Sequence, residues 1–160
     1  MIKKSKESIS LDIKSKKEIL DVIGDKLRDE HVQYMKEFIQ HGSITTYKHC
    51  INVVKLCYIL NKKFNLNADM DVLMNGALLH DFYLYDWHDV GLEYGLHGFT
   101  HPKTAAKNAK QVFDIDDKTE GVIISHMWPL TLLHPPKCKE GWILCIADKL
   151  SSMAETLWMR

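Results

Sequence analysis

The chain of 160 residues has no excess of either charge: 21 lysines and arginines face 21 aspartates and glutamates. Proteins that follow a phosphate backbone or lie on an anionic membrane carry a basic surplus, so neither a nucleic-acid polymer nor a membrane is expected as partner. Cysteine is also sparse. Its four copies, at 50, 57, 138 and 145, include no C-x-x-C pair and lack the density of a disulfide scaffold, which points to reduced thiols. No run of 18 apolar residues occurs, and the basic opening "MIKKSKESISLDIKSKKEIL" leads into neither an apolar h-region nor a small-residue cleavage site. A cytoplasmic protein with a small-molecule ligand is therefore expected.

Alternation of apolar and polar residues is missing too, as are hairpin dipeptides between β-branched runs and internal repeats. These absences leave an all-α fold, a compact single-domain bundle of about six to eight helices. Residues 1–16 read as a polar lead-in and 17–160 as one domain. A helix, in one piece or broken in two, is predicted over 17–40, with Gly24 as its weak point, and "HGS" at 41–43 reads as a stop followed by an N-cap. The next helix covers "TTYKHCINVVKLCYILNKKF", and a third, capped by Asp69 or Asp71, runs into His80 and Asp81. Residues 82–99 lose periodicity and carry several aromatics, the pattern of a long functional loop or lid. Thr100 as cap and Pro102 in the first turn place the next helix start near 100. Further helices are predicted from Asp116 or Asp117 and over 139–157.

What the chain does have is histidine, nine in all. His49 falls early in the second helix, His80 and Asp81 close the third, His101 opens the fourth and His126 ends the fifth. Asp148 interrupts the apolar "GWILCIADKLSSM", where an unpartnered buried carboxylate would cost several kcal/mol or take up a proton. A carboxylate has two oxygens and can hold two cations together while imidazoles fill the outer positions.

The order His49, His80-Asp81, Asp148 resembles the H…HD…D signature of the HD-domain superfamily of metal-dependent phosphohydrolases. With His101 and His126 included, it is similar to the extended H…HD…H…H…D form that holds two metal ions. The likeness runs over about residues 43–157, and "GALLHD", "HP" and "ADK" agree with it. It implies one ion on His49, His80, Asp81 and Asp148 and a second on His101 and His126, with Asp81 as catalytic bridge. Imidazole and carboxylate ligands without thiolate suit iron, manganese, cobalt, nickel or zinc. The implied nucleophile is a metal-bound hydroxide, since a metal lowers the pKa of water from about 15.7 to about 7. The implied substrate is a small phosphorylated molecule, a phosphomonoester or phosphoanhydride, with nucleotides among the candidates.

The chain departs from the common HDxxK form, for Leu84 stands where many relatives carry lysine. Lys103 and Lys149 are the candidates to meet phosphate in its place, and His88 is a candidate proton donor to the leaving group. His97, four residues before His101, could replace it only if the helix began earlier. Tyr83, Tyr85, Trp87 and Tyr94 could stack on a flat group. His31, His41 and His134 fall outside the pattern. The same six ligands would also serve a di-iron oxygenase of HD type. A third reading is a non-catalytic binding module.

Overall fold

A computed structural model describes residues 11–88 and 96–157, and among them the chain forms seven α-helices and one two-stranded ribbon. Helix α1 (Ile13–Arg28) begins four residues before the predicted position because the Asp12 side chain accepts from the Ser15 backbone N–H at 2.7 Å. It buries Ile19 and Ile23 against the centre of the molecule. The predicted 17–40 helix is broken, and the break lies at Asp29 rather than at Gly24. Asp29 adopts an extended backbone and accepts from His31 N–H, which starts the five-residue α2 (Glu30–Tyr34). An N-cap signal thus overrides helix propensity, while Gly24 stays inside α1.

A 3-10 turn over Met35–Glu37 leads to strand β1 (Ile39–His41), which pairs antiparallel with β2 (Ile44–Thr45). Gly42, with φ of 53°, makes the turn between them. Strands of three and two residues are too short to show alternation, so periodicity could not reveal them. The expected cap in "HGS" moves to Thr45, whose hydroxyl accepts from Lys48 N–H and opens α3 (Thr46–Lys63).

Helix α4 (Met70–Leu79), capped by Asp69, is the central element, with buried residues on every side. It packs against α1, α3, α6 (Asp117–Ser125) and α7 (Lys139–Leu157). Gly76 permits the approach of α6: a Cβ there would lie 2.9 Å from Val122 Cγ1. Asp116 caps α6, one of the two predicted starts, and α7 spans the predicted 139–157. Helix α5 (His97–Phe113) lies beside α6 and begins three residues before the predicted 100. Its N-cap is Leu96, which makes no side-chain bond, so Thr100 falls inside the helix and Pro102 beyond its first turn.

The predicted 82–99 lid divides. Phe82 and Tyr83 are core residues, fully or almost fully buried, whereas 84–88 run along the surface. Asp89 and Tyr94, which belonged to that expectation, lie outside the described residues.

Candidate metal centre

Five helices bring their polar residues to one point beneath the surface. His49 enters from the first turns of α3, His101 from the start of α5 and Asp148 from the middle of α7. His80 and His126 share one construction: each follows the last residue of its helix, α4 and α6, as C-cap. Each ring Nδ1–H donates to the carbonyl three residues back, His80 to Ala77 at 2.9 Å and His126 to Ile123 at 2.7 Å. Because α4 ends here, with Phe82 N–H turned back to Leu79 O, Asp81 is freed from helical spacing and points to the same centre as His80. All six residues are buried.

The hydrogen bonds also fix the ring tautomers. His101 Nδ1–H donates to His97 O at 2.8 Å, and His49 Nδ1–H to Glu155 Oε2 at 2.9 Å. Carbonyls and ionised carboxylates only accept, so each Nδ1 carries its proton and each neutral ring turns an Nε2 lone pair inward. The inward nitrogens face one another: His49 and His80 at 3.3 Å, His101 and His126 at 3.0 Å. Lone pairs do not tolerate that arrangement without a positive charge between them.

The carboxylates complete two overlapping groups. His49 Nε2 lies 3.1 Å from Asp148 Oδ1 and 3.7 Å from Asp81 Oδ2, and His80 Nε2 lies 3.7 and 3.4 Å from the same atoms. On the other side, Asp81 Oδ1 is 3.2 Å from His101 Nε2 and 3.6 Å from His126 Nε2. The two oxygens of Asp81 thus face different sets of imidazoles, and Oδ1 has no partner of hydrogen-bond geometry. An orphaned buried carboxylate oxygen among inward lone pairs fits a divalent cation.

Without such a cation the charges are met by protons. Burial opposes charge on His49, but Asp148 and Glu155 outweigh it and push the pKa up to about 10. His80 is raised well above the ordinary histidine range against burial, chiefly by Asp81. Asp81 and Asp148 are held below the usual carboxylate range, burial being outweighed by the surrounding imidazoles. Burial, with His80 and His101 nearby, lowers His126 to about 3.

Supporting residues escaped the sequence reading. Gln40 Nε2 donates to Asp81 Oδ2 at 2.7 Å, and Tyr83 O–H donates to Gln40 Oε1. Glu155, which orients His49, also accepts from Asn52 and from Ser151. Position i+7 from Asp148 on one helix was the available signal for Glu155. Nothing in the sequence marked Gln40, which arrives on the short strand β1.

A cavity of about 880 Å³ opens over the centre, with Asp81, His101, His126 and Asp148 in its floor. Lys149 lines it, its Nζ donating to His126 O at 3.0 Å. His41 and His97 reach it as well. His97 does not replace His101; its ring stacks on that of His101, with centroids 4.5 Å apart. Two predicted residues are not brought to this cavity. His88 is 46% exposed, paired with Asp86 at 3.1 Å, and borders an adjoining surface hollow that shares Gln40, His41 and Trp87 with the cavity. Lys103 is exposed on α5 and Leu84 packs against the core.

Comparison with curated proteins and comparison with solved structures returned no match. The family model described as the HD domain matches residues 46–153, from the first residue of α3 to the last turns of α7. That span is more than half of the chain and holds all six converging residues, and so the chain belongs to the HD domain family.

Proposed function

We propose that the protein is a metal-dependent phosphohydrolase that hydrolyses a phosphomonoester or phosphoanhydride at this centre. The observation that carries the reading is the set of four inward Nε2 atoms, each fixed by an acceptor on its Nδ1, around the two oxygens of Asp81. We assign one divalent ion to His49, His80, Asp81 and Asp148 and a second to Asp81, His101 and His126. Ions held there supply Lewis acidity and an activated water for attack at phosphorus.

The chain's own residues set up that attack. Gln40, donating to Asp81 Oδ2, and Glu155, accepting from His49, hold the ligands in orientation before substrate arrives. Lys149, rather than Lys103, is the cation on the cavity wall; its ammonium donates to His126 O and Cys145 O, and we assign it to meet a phosphoryl oxygen. Trp87, Met127, Pro129 and Leu130 form the wall away from the floor. His97 and His41 are the imidazoles placed to hydrogen-bond a leaving group, a position that His88 does not share.

Protein loaded with manganese, iron, cobalt or nickel is expected to release phosphate from aryl phosphates or nucleotides. Absence of turnover across a broad phosphate panel, with metal content verified, would sink the reading. One observation favours a second reading: with leucine at 84, packed against the core, a single lysine serves the cavity among the described residues. A di-iron oxygenase would need no phosphate-binding cation. Oxygen consumption by iron-loaded protein, without phosphate release, would establish it instead.

A further inference from the structure

Resting on the hydrolase reading, we propose that the substrate is a phosphomonoester of an apolar alcohol or phenol, not a nucleoside polyphosphate. The cavity is two-faced. Its floor carries the two aspartates and the histidines, and its one lysine, Lys149, stands beside them. Away from the floor the wall changes to Met127, Pro129, Leu130, Met153 and the indole of Trp87. A single phosphoryl group fills the charged end. The second and third phosphates of a polyphosphate would extend onto methionine, leucine and proline, where no further cation stands among the described residues.

The amide and hydroxyl side chains of the wall that a ribose or base would use are already engaged. Gln40 donates to Asp81 while its carbonyl accepts from Tyr83 and Thr46, and Ser152 Oγ donates to Asp148. The rings of the 83–87 segment already have ring neighbours. The Trp87 ring stacks with that of His97, with centroids 5.0 Å apart at 15°, and lies against that of His88 at 3.8 Å. Tyr83 is buried, and Tyr85 packs against Tyr83 and His97. Apart from His41, His97 and Lys149 the remaining wall is mostly apolar, and it continues outward: Leu130 is 45% and Met153 59% exposed at the rim. Leu150 and Leu157, one turn to either side of Met153 on α7, extend it. Such a wall binds a hydrocarbon or aryl body by displacing water from both.

In the reaction, the water oxygen forms the new bond to phosphorus and the ester P–O bond breaks. One water proton goes to the leaving alkoxide or phenoxide and the other stays with phosphate, so alcohol and inorganic phosphate are the products. No further reactant is needed.

The test uses full-length manganese-loaded protein and compares kcat/KM for 1-naphthyl phosphate and hexyl phosphate with that for AMP, ADP and ATP. Isothermal titration with 1-naphthylphosphonate, AMP and inorganic phosphate gives binding apart from turnover. A preference for the apolar esters of about tenfold or more over AMP is expected. Met153→Asp and Leu130→Asp, at exposed positions that fold readily, are expected to cut the advantage of naphthylphosphonate over inorganic phosphate by about tenfold. Tighter binding or faster turnover of any nucleotide, or an unchanged ratio in both variants, overturns the assignment while leaving a hydrolase. If no ester is turned over but naphthylphosphonate still binds in preference to AMP, the apolar specificity holds and the hydrolase reading falls.

Discussion

His49 and Glu155, 106 residues apart in the chain, are joined through Nδ1 and Oε2 at 2.9 Å between two buried side chains. This bond selects the tautomer that turns Nε2 toward Asp148 and Asp81. Partners of this kind commonly contribute about 10- to 100-fold to metal affinity. Glu155→Ala is therefore expected to weaken metal binding by a factor in that range, measured by competition with a chromophoric chelator, and Glu155→Gln, which still accepts from Nδ1–H, to recover part of it. Unchanged affinity in Glu155→Ala would show that the bond does not tune the ligand.

Because its two oxygens face different imidazoles, Asp81 stands in both ligand groups, whereas His101 stands in one. Metal analysis should then find two ions per chain in the wild type, about one in His101→Ala, and none in His80→Ala combined with Asp81→Ala. A single ion in the wild type would refute the two-ion assignment.

The metal-free protein is expected to be most stable near pH 6.5. The folded pKa of His49, about 10, lies above its unfolded value of about 6.5. Its contribution is full below that unfolded value and is lost as pH rises toward 10. His126 and His97 behave oppositely: burial, with neighbouring imidazoles, lowers them to about 3 and about 4. Below pH 6.5 the unfolded chain takes up protons that these folded residues refuse, so stability falls as pH drops. Asp81 and Asp148, held below the carboxylate range, add their loss below about pH 4. Thermal melting from pH 4 to 10 with chelator present tests the shape. Saturating metal, which keeps His49 neutral in the folded state, should remove the alkaline decline; a monotonic profile without metal would contradict the assignment.

Two glycines should respond in opposite directions to alanine. A Cβ on Gly76 would press to 2.9 Å from Val122 Cγ1, where α4 meets α6, and Gly76→Ala is expected to cost about 1–3 kcal/mol. Gly121 is exposed inside α6 with nothing within 4 Å of an added Cβ. Gly121→Ala should gain up to about 1 kcal/mol from helix propensity. Urea unfolding of both variants checks the pair, and a stable Gly76→Ala would mean that α6 yields.

The helices were legible because capping and periodicity are local. Asp69 and Asp116, followed by apolar runs, mark the starts of α4 and α6, and the 139–157 pattern is the whole of α7. The six converging residues were legible through their order, five of them also through places near helix ends and Asp148 as a carboxylate within an apolar helix. Local signals misplaced the break at Asp29, because a side chain that caps the next helix competes with propensity there. They also misplaced the start of α5, where Leu96 caps without a side-chain bond and leaves no signature.

The sequence by itself determined an all-α chain with four histidines and one aspartate set near helix ends and a second aspartate, Asp148, within the last helix, since those features depend on neighbours within a few turns. Only the tertiary structure decided which way the rings point, that Glu155 and Gln40 support them, that Lys149 rather than Lys103 reaches the cavity, and that His88 does not. Those outcomes depend on how α7 and β1 cross the ends of α3 and α4. Residues brought together across tens of positions leave no periodic trace along the chain.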